Sequence, residues 1–209
     1  MEPAMRYVKG HGLQTRSRIV ENASYGLRQS GAEGMSVVDL MKLVGLTHGG
    51  FYSHFDSREA LFIEAFALAM DQTVADWQQL FKALPIEKRF DALADGYLSA
   101  HHRDNRARGC VLPALSADIA RSSSKVRQNF ARKFEEMIDS IALLFPEEPP
   151  GQARQIATST LATMLGSIVL ARAAGDKTLS GDILEAGRQA LRSQSPRRKS
   201  GKPRGKCGR

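Results

Sequence analysis

The chain has 209 residues, of which 42% are apolar and 25% charged. That is enough to bury a core of its own and too apolar for a wholly disordered chain. Two cysteines, Cys110 and Cys207, exclude a disulfide framework and a cysteine-rich metal cluster; with no charged–apolar–small leader, the expectation is a reduced, cytoplasmic protein.

The apolar pattern is helical almost throughout, so the expected fold class is all-α. A first helix is expected over 15–29, where Ile19, Ala23 and Leu27 stack at four-residue spacing and Ser30-Gly31 stops the run. A second begins at Ser36. Ser36 and Asp39 fit a capping box, and Val37, Leu40, Met41 and Val44 make one apolar face. Gly45 is placed to end it in the left-handed conformation, and Thr47 to cap a third helix over 48–55 whose inner face is Phe51 and Phe55.

Ser57 caps a fourth helix, which carries a continuous apolar stripe and runs to about Phe81 before Leu84-Pro85 ends it. Further helices are expected over 86–102, 111–120, 124–144, 151–174 and 182–192, with breaks at Gly109, Ser122-Ser123, 146–150 and 175–181. The uncharged run 156–171 is interrupted by serines and threonines. It falls short of the roughly 20 apolar residues that span a bilayer, so it reads as a buried helix with no membrane partner.

The net charge of +8 sits mostly at the end of the chain. Residues 196–209 hold seven Lys/Arg and no acid, whereas residues 1–60 hold seven against six and residues 61–195 sixteen against sixteen. A Pro/Gly/Lys/Arg tail cannot bury a core and is expected to be disordered. It suits phosphate contact, or it is a solvated tail; composition leaves both open.

Two short helices joined by a tight turn, followed by a third, are the layout that lays one helix in the major groove of DNA, where base edges carry a distinguishable code. Phe51 and Phe55 supply the packing face of that helix; Thr47, His48, Gly49, Gly50, Tyr52 and His54 supply the outer face. Each helical glycine costs about 1 kcal/mol relative to alanine. The Gly49-Gly50 pair therefore points either to close approach of backbone and DNA or to a permissive first turn. The Tyr52 hydroxyl, His54 and Arg58 are candidates for phosphate contact, Arg58 from the first turn of a helix where free amides also favour anions.

The stretch 34–66 resembles the DNA-binding domain of the TetR family of bacterial transcriptional regulators. The matching residues are Ser36, Leu40, Gly45-Leu46, Thr47, Gly50-Phe51-Tyr52, His54-Phe55, Ser57-Arg58 and Glu59-Ala60-Leu61-Phe62, with unbroken spacing. The resemblance implies a homodimer on a palindromic double-stranded DNA operator. It carries phosphate contacts over to Ser36, Tyr52, His54 and Arg58, and base-reading positions to Val38, Thr47, His48, Gly49 and Gly50. Arg58 stands where lysine is more frequent, and apolar Val38 is limited to a contact such as a thymine methyl.

The division expected on this basis is an arm at 1–14, a helix-turn-helix domain at 15–60, a larger helical regulatory and dimerisation domain at 61–193, and the basic tail at 194–209. For a small-molecule effector, the apolar and aromatic lining candidates are Trp77, Phe81, Phe90, Tyr97, His101, Leu112, Phe134, Ile138 and Met164; plain core is the alternative for each. They point to a lipophilic or aromatic compound.

Cys110 follows Arg108-Gly109 at an expected helix start, where a dipole and a cation would lower its pKa and suit a thiol sensor; a small buried hydrophobe is the alternative. Ile156, Leu161, Met164, Leu165 and Ile168, with Ile183, Leu184 and Leu191, are expected at a dimer interface, which the resemblance implies is a four-helix bundle.

No cofactor or metal motif is present, and adjacent His101 and His102 point to different helix faces. The expected activity is a sequence-specific transcriptional regulator, a repressor released by a ligand, and no phosphate loop or Ser/His/Asp order supports an enzyme. The alternative is a non-specific or architectural DNA binder driven by the tail, against which the near-neutral body counts, since charge supplies most non-specific affinity.

Overall fold

A computed structural model describes residues 5–195 apart from Glu33 and Met35; the basic tail from 196, including Cys207, lies outside the described residues, as do the first four residues of the expected arm. Nine α-helices and two 3-10 turns make up the described chain, and it contains no strand.

The helix-turn-helix head is built as its local chemistry dictates. α1 (Met5–Ser30) begins well before residue 15 and stops at Gly31, whose φ of +73° only glycine adopts without strain. Ser36 caps α2 (Val37–Leu43), its hydroxyl accepting from the Asp39 amide at 3.4 Å. Gly45 then turns the chain at φ +77°. The expected third α-helix is instead a 3-10 helix, His48–Ser53, and Thr47 precedes it without making a side-chain cap. α3 (Arg58–Ala83) is capped by Ser57, which accepts from the Ala60 amide at 3.0 Å. Ile19, Ala23 and Leu27 of α1 meet Leu40, Met41, Phe51, Phe55 and Leu61 in the core.

α3 runs without a break into the larger unit. There the chain continues as α4 (Ile86–Tyr97), α5 (Ala100–Asp104), α6 (Leu112–Ala120), α7 (Ser124–Ala142), α8 (Pro150–Ala173) and α9 (Lys177–Arg192). Two boundaries differ from the sequence expectation. The helix expected over 86–102 breaks at Leu98, because Ser99 caps a new one through the His102 amide. The last helix starts at Lys177 and not at 182, because Asp176 caps it through the Leu179 amide at 2.7 Å and Gly181 is carried inside it.

α1 lies on α3, α3 on α7, and α7 on α8, which pairs with α9. At that last crossing Gly187 is required by closeness: a Cβ there would sit 2.4 Å from Ser167 Oγ. α8, 24 residues long, is long and apolar enough to cross a bilayer by length and composition, contrary to the sequence estimate. Ala157, Leu161, Met164 and Ile168 on it are wholly buried against neighbouring helices, while Ala162, Gly166, Val169 and Leu170 are exposed.

Candidate DNA-reading head and regulatory cavity

Most of the sequence-derived contact residues of the head reach solvent. Ser36, Thr47, His48, Gly49 and Arg58 are exposed, Val38 is 42% exposed and Tyr52 66%. Gly50 and His54 are half-buried. The Tyr52 ring stands edge-on to Phe51 at 5.2 Å and to His48 at 6.1 Å, so its hydroxyl projects from a braced ring.

At Gly49 an added Cβ would meet nothing within 4 Å, and at Gly50 it would make only ordinary contact at 3.8 Å. The subunit's own packing therefore does not require either glycine. Arg58 donates from Nη2 to the Ala32 carbonyl at 2.8 Å, so its guanidinium is tied to the segment between α1 and α2.

Arg16 was not singled out by the sequence. Its guanidinium makes a two-pronged pair with Glu64 of α3, both contacts at 2.5 Å, donates from Nε to the His54 carbonyl at 3.3 Å, and lies 4.6 Å from the centre of the Phe55 ring. The hydrogen bond to Glu64 raises its pKa further. It locks the end of the reading segment to α1 and α3. The only sequence signal was a basic residue next to the apolar face of the first helix.

In the larger unit, a cavity of about 270 Å³ lies between α3, α4 and the segment 105–110. Trp77, Tyr97 and His101 line it, as expected, and Cys110 joins them. Thr73, Asp76 and Asn105 were missed, although Thr73 and Trp77 follow helical spacing on one face of α3.

The other lining candidates are elsewhere. Phe81 is core, Phe90 packs edge-on to Phe145 at 5.2 Å, and Leu112, Ile138 and Met164 are buried away from the cavity. Phe134 stacks on Phe130 at 5.2 Å. The Tyr97 hydroxyl is buried against the Cys110 thiol, its hydrogen-bond neighbour, with no nitrogen or oxygen partner among the described residues, and burial holds its pKa well above the usual phenol value.

His102 organises the cavity wall. Its Nδ1 lies 2.7 Å from the Tyr97 carbonyl, and its Nε2 accepts from the Cys110 amide at 3.0 Å. Those partners fix the neutral tautomer with the proton on Nδ1, and burial lowers its pKa. Gly109 makes room for the ring, since a Cβ there would lie 2.6 Å from it. Cys110 is 3% exposed, and burial pushes its thiol pKa up, not down. The Tyr97 hydroxyl, the Leu112 amide at the start of α6 and the cations Arg28 and Arg172 all favour the thiolate, but desolvation outweighs them.

The expected dimer residues also divide. Leu161, Met164, Ile168, Leu184 and Leu191 are 2% exposed or less, so they pack within their own subunit and cannot meet a partner. Ile156, Leu165 and Ile183 are half-buried. The outward face of α8 is formed by Ala162, Gly166, Val169 and Leu170, with Leu179 of α9 51% exposed.

A helix-turn-helix head with a largely exposed reading segment, carried on a helical body, defines a DNA-binding regulator. Residues 19–65 match the profile of the bacterial regulatory proteins of the tetR family, and residues 85–179 that of the C-terminal domain of LmrA/YxaF-like transcriptional regulators. The chain is 26% identical to an HTH-type transcriptional regulator of Mycobacterium tuberculosis, over 88% of this chain and 97% of that one. It is 23% identical to the HTH-type transcriptional repressor DhaR of a Mycobacterium species, over 72% and 76%. Its fold is that of a TetR-family regulator from Cytophaga hutchinsonii, with a TM-score of 0.73 at 19% identity over 88% and 96% of the two chains. The chain belongs to the TetR family of bacterial transcriptional regulators, proteins that bind DNA and are not enzymes.

Proposed function

We propose that the protein is a cytoplasmic, homodimeric repressor, released from a palindromic operator by a small, largely apolar effector bound in the cavity at Trp77 and Tyr97. The observation that carries this reading is the route from cavity to head. The cavity wall ends at Cys110, α6 starts two residues later, and Asp118 on α6 accepts a hydrogen bond from the Ala32 amide at 3.3 Å. Ala32 is in turn held through its carbonyl by Arg58. A ligand that displaces the 105–110 segment moves a helix that touches the head, and it shifts the equilibrium by as much as it favours one arrangement.

The buried Tyr97 hydroxyl, which has only the weakly accepting Cys110 sulfur as a side-chain partner among the described residues, supports an effector that offers a stronger hydrogen-bond acceptor beside an aromatic or apolar body. Ala162, Gly166, Val169, Leu170 and Leu179 support pairing of α8 and α9 with a second copy, since small residues allow close helix approach. Ser36, Tyr52, His54 and Arg58 serve as phosphate contacts and Val38, Thr47, His48, Gly49 and Gly50 as the base-reading surface in this scheme. DhaR, a relative, is itself a repressor.

Trp77 is the chain's single tryptophan and lines the cavity, so its fluorescence reports occupancy directly. Screening apolar acceptor-bearing compounds by Trp77 quenching, then adding each hit to the protein–DNA complex, tests the scheme. Hits should release DNA and bind Tyr97→Phe more weakly. Hits that leave DNA affinity unchanged would contradict it.

A further inference from the structure

We propose that the cleft between the C-terminal end of α1 and helices α6 and α8 is a second ligand site, one that takes a small multivalent oxyanion through the guanidinium groups of Arg28, Arg106, Arg121 and Arg172. The cleft encloses about 540 Å³ and shares no lining residue with the cavity at Trp77. Four arginines face it against a single acid, Asp118.

Two of the four are withdrawn from water with no carboxylate in direct contact; Asp76 and Asp104 act on Arg28 and Arg172 only through space. Arg28 is 5% exposed. It donates to Ser24 Oγ at 3.1 Å, to the Ala69 carbonyl at 3.1 Å and to Gln72 Oε1 at 2.7 Å, all of them neutral. Its Nε is buried with no acceptor among the described residues. Arg172, half-buried, donates to the carbonyls of Arg103 at 3.1 Å and His102 at 2.9 Å, again neutral groups. Burial lowers the pKa of both guanidinium groups. A buried cation is strongly unfavourable unless paired, so two of them beside one cleft, neither in a direct ion pair and one with an unpartnered Nε, leave room for an anion.

The other two stand ready to reach it. Arg106 is exposed and makes no side-chain hydrogen bond or ion pair among the described residues. Arg121 is held at the rim by Asp118 at 2.9 Å. Guanidinium groups match carboxylate and phosphate oxygens in two-pronged geometry, which lysine does not.

A neighbouring depression shares Arg106 and Arg172 and adds Arg103 and Lys177, but there two acids, Asp104 and Asp176, face the four cations. The larger excess of positive charge is on the α1 side, where four arginines face one acid. An anion there also competes with Asp118 for Arg121, and Asp118 is the residue that touches Ala32. That consequence rests on the regulatory scheme above, whereas anion binding itself does not.

Calorimetric titration of the full-length protein with pyrophosphate and with citrate, at constant ionic strength and without DNA, tests the site. At least one is expected to bind with a Kd below about 1 mM, and Arg106→Gln and Arg172→Gln each to weaken it by about tenfold or more. Arg106 is exposed, so its variant should keep the wild-type melting temperature. Preference for pyrophosphate names phosphate as the recognised group, and preference for citrate names carboxylate; either supports the site. The basic residues beyond 196 are the same in every variant, so binding carried by them is untouched. No heat of binding at about 10 mM, or an affinity that Arg106→Gln leaves unchanged, would overturn the proposal.

Discussion

Asp118 of α6 and Ala32, just past the end of α1, are joined by a hydrogen bond from the Ala32 amide to Asp118 Oδ2 at 3.3 Å, across 86 residues of sequence. It ties a helix of the regulatory body directly to the DNA-reading head. Replacing Asp118 with alanine should lower stability by about 1 kcal/mol in urea unfolding, the usual net worth of one such bond. In the proposed scheme it should also blunt the effector response more than it lowers operator affinity. An unchanged response would remove this contact from the route.

Gly49 and Gly50 separate folding from recognition. Neither needs to be glycine for the head to pack. Alanine at either position should leave stability unchanged or raise it by up to about 1 kcal/mol, because glycine is the poorer helix former. Operator affinity should fall by about tenfold or more if DNA backbone approaches here, a loss of roughly 1.4 kcal/mol. Thermal melts and binding titrations on the same variants read the two effects; undiminished affinity would leave the permissive first turn as the reason for the pair.

Arg16 should behave as a positioning residue. Its pairing with Glu64 is only partly shielded, each side chain being 38% exposed, so the ion pair alone is worth little. The bond to the His54 carbonyl and the Phe55 contact add to it. Arg16→Met should destabilise the protein by about 1 kcal/mol. Arg16→Lys should rescue it poorly, since an ammonium cannot reproduce the two-pronged geometry. Full rescue by lysine, measured by urea midpoint, would show that charge alone suffices.

The His102 tautomer gives the pH dependence a sign. Its folded pKa is lowered below the ordinary histidine value, so the unfolded chain binds the proton more readily. The stability this group contributes is complete above the unfolded value of about 6.5 and is lost as pH falls from there toward the folded pKa. Protonation also removes the Nε2 acceptor of the Cys110 amide. Urea midpoints should therefore drop below about pH 6.5, and His102→Asn should flatten that part of the profile. The same slope in wild type and variant would assign it to other groups.

Burial with a raised thiol pKa makes Cys110 a slow nucleophile. At neutral pH iodoacetamide should modify it more slowly than free cysteine, followed by peptide-resolved mass spectrometry so that Cys207 is counted separately. Fast alkylation at Cys110 would restore the sensor reading.

The head was legible because its local chemistry is explicit: Ser36 and Ser57 cap, Gly45 turns, and the Phe51/Phe55 spacing marks the inner face. The body was less so. Serine and aspartate caps at Ser99 and Asp176 decided two boundaries that apolar periodicity alone could not place. Leu161, Met164 and Ile168 repeat at helical spacing whether a helix meets its own subunit or a second copy, so their burial inside the subunit could not be read from the pattern. The same ambiguity put Phe90 and Phe134 among cavity residues. Trp77 and Tyr97 reached the cavity because Gly109 and His102 shape the opposite wall, a relationship between segments with no local signature.

The central claim is that this head reads sequence as a two-fold pair. Selecting duplexes from a random pool with purified protein at near-physiological salt tests it most directly. The account predicts recovery of a palindrome whose half-sites lie about one helical turn or a multiple of it apart. Recovery of no motif, with binding that vanishes as salt is raised, would contradict it and assign DNA affinity to the basic tail.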